Sequence, residues 1–95
     1  MTDNERNVFE RALMHYGPEL QTTVLVEEMA ELQKEICKYW RGRPNYDHIA
    51  EEMADLSIML DQMKLLFQNG GAVQGWRLEK VRRLADRIAA EESGA

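Results

Sequence analysis

Val26-Glu27-Glu28-Met29-Ala30-Glu31-Leu32 and Ala50-Glu51-Glu52-Met53-Ala54-Asp55-Leu56 are two versions of one heptamer. Five of the seven positions are identical, a sixth exchanges Glu for Asp, and the copies are offset by 24 residues. Around both, apolar residues recur three and four apart rather than alternating, the period of a helix and not of a strand. The first copy lies on a stripe of Leu25, Met29, Leu32, Ile36 and Trp40. The second lies on Ile49, Met53, Leu56, Leu60, Met63 and Phe67. Each copy therefore belongs to its own long amphipathic helix. Only Gly42-Arg43-Pro44-Asn45 breaks the pattern between them, and so short a connection makes the two helices antiparallel neighbours.

Outward from this hairpin, Gly17-Pro18 and Asn69-Gly70-Gly71 are the remaining breaks. Four helices are predicted: Asp3 to Tyr16, with Thr2 and Glu5 at capping-box spacing; Pro18 or Glu19 to Trp40; Tyr46 or Asp47 to Phe67, capped by Asn45 or Asp47; and Val73 to Glu91. No strand is predicted. The expected fold is all-α, one domain over residues 1–95 with a core from about residue 13 to about residue 90. An antiparallel hairpin of two long helices forms its centre and two helices flank it. The third helix also carries Ile58 and Leu65 away from its stripe. Apolar on two faces, it reads as a central helix or as one that meets a second subunit, and the bundle is expected to be completed as a homodimer or homotetramer.

The chain has 95 residues, and one this short buries only roughly 60–65% of its unfolded surface, so small scaffolds need a staple. Cys37 is the lone cysteine and forms no intrachain disulfide, which leaves assembly or a metal. The net charge of −5 argues against a nucleic-acid polymer or an anionic membrane as the main partner. No run approaches the ~18 apolar residues of a membrane span. The opening Met1-Thr2-Asp3-Asn4-Glu5 is polar and acidic, unlike a signal peptide. With the single cysteine, this leads to the expectation of a cytoplasmic protein.

The repeat also places acids. At about 100° per residue, Glu28 lies near −60° and Glu31 near −120° from Leu25, and Glu52 and Asp55 take the same angles from Ile49. Both acid pairs thus sit on one flank of their stripes, and packing the stripes together brings four carboxylates to one seam. Such a cluster raises its own pKa values and is relieved by a cation. Oxygen-only donors suit Mg²⁺, Mn²⁺ or Ca²⁺. Acid pairs three apart on a helix are also common on solvated faces, and both readings stand on these residues alone. Glu27 and Glu51 point further from the seam and read as solvated or salt-bridged, with the orienting of a water as the sharper alternative.

The spacing Glu28-x-x-Glu31, 20 intervening residues, then Glu52-x-x-Asp55 resembles the motif of the MazG-like, all-α nucleoside triphosphate pyrophosphatases. The flanks Tyr16-Gly17, Gln21 and Lys38-Tyr39-Trp40-Arg41-Gly42 are similar to theirs, as are the second motif helix and Lys80-Val81-Arg82-Arg83-Leu84 in the last helix. The likeness spans Leu13 to Ile88. It implies a helical bundle built by dimers or tetramers, and Mg²⁺-dependent hydrolysis of an NTP or dNTP to monophosphate and pyrophosphate. It also implies that Glu28, Glu31, Glu52 and Asp55 are the metal ligands and the catalytic set.

Other residues are candidates for the substrate. Lys80 and Arg83, with Arg87, share one side of the last helix and are candidate phosphate contacts. The alternative is a solvated face in which Glu79 and Asp86 pair with Arg83 and Arg82. Lys38 is a weaker phosphate candidate, and Gln21 lies near the Glu28 face, either as a base or ribose contact or simply engaged by neighbouring side chains. Trp40 and Trp76 read as core or interface anchors before base stackers. His15 and His48 lack metal-ligand order. Cys37 and Met29, Met53, Met59 and Met63 read as core filler. Three functions follow: the pyrophosphohydrolase, a catalytically weak nucleotide- or metal-binding regulator, and a non-enzymatic helical interaction module.

Overall fold

The computed structural model describes residues 1–94. Its order is α1 (Asp3–Tyr16), α2 (Pro18–Trp40), α3 (Tyr46–Leu66) and α4 (Gly70–Glu92), with no strand among the described residues. The capping box forms: the Thr2 hydroxyl accepts from the Glu5 N–H at 3.1 Å, and the Glu5 carboxylate accepts from the Thr2 N–H at 2.7 Å. Gly17 joins α1 to α2 alone. Its φ of 88° is one that glycine adopts without strain, and Pro18 starts α2 at once.

The turn from α3 to α4 differs from expectation. Gln68, not a glycine, takes the left-handed conformation, with φ 51°. The Asn69 N–H returns to the Lys64 carbonyl at 3.2 Å, while Phe67 N–H donates to Met63 O at 2.9 Å, a Schellman-type end to α3. Gly70 and Gly71 consequently fall inside α4, whose first turn starts three residues earlier than Val73. First-turn N–H groups lack intrahelical partners whatever the residue, so the glycines cost least there.

The hairpin of α2 and α3 is the centre of the molecule. α1 lies across both and contributes the buried Phe9, while α4 touches the rest of the chain through α3 only. The packed face of α3 holds Met59, Gln62 and Met63; Met63 stands at one edge of the stripe that periodicity selects, and Met59 and Gln62 lie further round the helix from it. Met53 and Phe67, on that stripe, are 57% and 62% exposed. Met29, Ile36 and Trp40 of α2 are exposed as well, and so is Cys37. The expectation of core filler holds for Met59 and Met63 and is corrected for Met29, Met53 and Cys37: Phe9, Met59 and Met63 are the buried apolar side chains among the described residues. The physical reason is that α3 is apolar around much of its circumference, so periodicity along one helix does not select the face that meets α2.

Candidate functional site

The α2–α3 seam is read most directly from its polar pairs. Gln21 and Gln62 are both buried, and the Gln21 amide donates to the Gln62 carbonyl oxygen at 2.7 Å. Glu28 is seven residues after Gln21, and Asp55 is seven before Gln62. In an antiparallel pair that step preserves the register, so Glu28 faces Asp55. One oxygen from each of Glu28, Glu52 and Asp55 lies within 4.8 Å of the others, all three residues being half-buried. A further seven residues along, Glu35 faces the start of α3. There the Asn45 amide donates to the Glu35 carbonyl at 2.9 Å and to its carboxylate at 2.6 Å. Tyr39 and Tyr46 close that end, hydroxyl to hydroxyl at 3.2 Å.

Three of the four predicted carboxylates thus converge. Glu31 is exposed and stands outside the trio. Packing azimuth accounts for this. The buried side of α2 runs through Gln21, Glu28 and Glu35, and Glu31 lies about 60° further round the helix. The packed side of α3 is rotated toward its acids, so both Glu52 and Asp55 come in. The Glu28 carboxyl is held above its usual range, first by burial, then by the charges of Asp55 and Glu52, by a hydrogen bond with Glu52, and least by Glu31. A hard cation placed among these three oxygen donors would displace the Glu28 proton and be held by the carboxylates. The donor set fits Mg²⁺, and Mn²⁺ shares the same oxygen preference.

The substrate candidates are dispersed. Gln21 is engaged inside the seam by Gln62. Lys38 pairs with Glu35 at 3.2 Å. Arg82 binds Glu79 at 2.6 Å and Asp86 at 3.1 Å, and Arg83 binds Glu79 at 3.2 Å, all along the exposed side of α4. Lys80 lies over the Trp76 ring at 6.0 Å. Within one chain, α4 has no contact with α2, which carries Glu28. Lys80 and Arg83 are not brought to the trio.

Sequence reasoning missed Gln62 and the Asn45–Glu35 clamp. The signal for Gln62 was present: stepping seven residues out from Glu28 and from Asp55 reaches a glutamine each time. Asn45 stands at the N-cap of α3 as expected, but its side chain makes no capping bond and goes to Glu35 instead, where the carboxylate is the stronger acceptor. The Asn45 bond to the carboxylate first, and then Lys38, hold the Glu35 carboxyl below its usual range.

Compared with known proteins, the chain matches no protein-family model, no curated protein and no solved structure.

Proposed function

We propose that the chain is a Mg²⁺-dependent nucleoside triphosphate pyrophosphohydrolase of the MazG-like kind, cleaving an NTP or dNTP to monophosphate and pyrophosphate. The observation that carries the reading is the meeting of Glu28, Glu52 and Asp55, drawn from both copies of the repeated heptamer, across one antiparallel seam. Mg²⁺ held there would neutralise phosphate charge and lower the pKa of a bound water. The chain's own part is to hold three carboxylates in fixed register, which the Gln21–Gln62 and Asn45–Glu35 bonds on either side support. Phosphoryl transfer needs such positioning and charge stabilisation more than covalent help. Lys80 and Arg83 enter the proposal as phosphate donors only through assembly, as a homodimer or homotetramer, because α4 does not reach α2 within one chain.

One observation favours a second reading, a catalytically weak nucleotide- or metal-binding regulator: Glu31, the fourth acid of the motif, stands outside the trio. Assay of the common NTPs and dNTPs with Mg²⁺ separates the two. The pyrophosphohydrolase releases monophosphate and pyrophosphate in equal amounts, and Glu52→Gln or Asp55→Asn lowers turnover by orders of magnitude. Orthophosphate with a diphosphate would mean a different reaction. Metal-dependent nucleotide binding with no turnover would select the regulator.

A further inference from the structure

At the turn between α2 and α3, a cleft of about 390 Å³ opens among Tyr39, Trp40, Gly42, Arg43, Pro44 and Tyr46. No carboxylate lines it. Its three aromatic side chains form a braced frame. The Tyr39 ring meets Tyr46 edge-on at 5.3 Å, besides the bond between their hydroxyls, and meets Trp40 edge-on at 5.2 Å. Trp40 is nonetheless 79% exposed and Tyr46 68% exposed. The Arg43 guanidinium makes no ion pair among the described residues. Aromatic rings that are held in place yet left uncovered, beside a free guanidinium, are the parts of a stacking platform for a planar ligand.

We propose that this cleft is a nucleobase site: the base of a nucleotide stacks on Trp40, with Arg43 as its polar contact, while the phosphates run along the α2–α3 seam to Glu28, Glu52 and Asp55. The inference rests on the proposed nucleotide hydrolysis for where the phosphates lie, and adds the half of the substrate that the carboxylates leave unplaced. Position favours this occupant. Tyr39 stands eleven residues after Glu28, about three helical turns, and so on the same side of α2. Tyr46, bonded to Tyr39, lies six residues before Glu52, about 9 Å along the axis of α3. Cleft and carboxylates therefore share one seam, at a separation that the ribose and phosphates of one nucleotide bridge. Lys38 lies within that span, paired to Glu35. Charge favours the same occupant. The cleft holds one cation and no acid, which disfavours a cationic guest, whereas a neutral aromatic ring gains stacking from Trp40 and cation–π contact from Arg43. Stacking tolerates any base, so the site is expected to serve every common nucleotide, purines most because they offer the larger face.

The test reads the base apart from the phosphates. In the full chain carrying Trp76→Phe, the remaining tryptophan is Trp40. Its fluorescence is expected to be quenched saturably by adenosine in EDTA, a ligand with neither phosphate nor metal. Calorimetry in Mg²⁺ then compares α,β-methylene-ATP, whose α–β bridge resists hydrolysis, with inorganic triphosphate, which has no base. Wild type is expected to prefer the nucleotide by roughly tenfold or more, the worth of one stacked base. Trp40→Ala is expected to remove that preference and leave the binding of inorganic triphosphate unchanged. Trp40→Phe is expected to keep part of it, and Arg43→Ala to weaken the nucleotide alone. Circular dichroism is expected to be unchanged in all three, since the Trp40 and Arg43 side chains are exposed. Equal affinity of wild type for the two ligands overturns the proposal, as does a linear quench no greater than that of free tryptophan. So does Trp40→Ala that lowers the molar mass and leaves nucleotide affinity intact, which would make the indole a subunit contact. The two readings fail separately. Saturable adenosine binding with no turnover of any triphosphate removes the hydrolysis and keeps the cleft. Pyrophosphate release whose KM is unmoved by Trp40→Ala keeps the hydrolysis and removes the cleft.

Discussion

Replacing Glu28 by Gln is expected to invert its effect on stability according to whether Mg²⁺ is present. Without metal, Glu28 faces Asp55 and Glu52 with oxygens within 4.8 Å. Two unit charges at that spacing repel by about 1 kcal/mol in water-like surroundings. Removing one charge from two such pairs stabilises the metal-free chain by roughly 1–2 kcal/mol, and each kcal/mol raises Tm by roughly 4–8 °C in a domain of this size. The pH dependence has a definite sign. The Glu28 carboxyl is raised from 4.5 by burial, Asp55 and Glu52, so the folded chain binds this proton more tightly than the unfolded one. Stability therefore falls as pH rises from 4.5 through the raised folded value. The gap between variant and wild type is closed below pH 4.5 and opens as pH rises through the raised folded value. With Mg²⁺ at a hundred times its Kd, wild type gains about 2.7 kcal/mol, and the variant, lacking one of three ligands, gains little. Differential scanning fluorimetry in EDTA and in Mg²⁺ reads both effects. Equal responses to Mg²⁺, or a variant less stable than wild type in EDTA near pH 8, would refute the reasoning. Glu31→Gln is the internal control: outside the trio and the least of the causes acting on Glu28, it should move both readings far less.

Two further predictions concern the frame that holds the acids. Gln21→Leu leaves the buried Gln62 amide without its partner and should cost about 1–3 kcal/mol in urea denaturation. The double variant with Gln62→Leu should recover most of that loss, and a double variant as unstable as the sum of the singles would deny the pair its role. Gln68→Gly relieves the left-handed strain at φ 51° and should raise stability by about 0.5–1 kcal/mol after the entropy cost of glycine. An unchanged or lower midpoint would count against the Schellman-type turn.

The helices were legible because their causes are local. Thr2 and Glu5 cap α1, Gly17-Pro18 punctuates, and the stripes around Met29 and Met53 repeat at helical spacing, all within a few residues of one another. The repeated heptamer also made the antiparallel hairpin and its acid seam legible. What escaped was rotation. Met59 and Gln62 face the core while Met53 and Leu60 do not, and no pattern along α3 separates those choices, because apolar residues occur around most of its circumference.

By itself, then, the sequence determines four helices, their order, their breaks and the placing of acids at matched positions on two of them. Each of these follows from backbone conformation and hydrogen bonding between near neighbours. The tertiary structure alone decided that Glu28, Glu52 and Asp55 meet while Glu31 faces solvent, that Gln21 is spent on Gln62, and that α4 stands off the hairpin. The azimuth of a helix is set by what it packs against, here Phe9 of α1 and the glutamine pair of the seam, and those contacts join residues far apart in the chain.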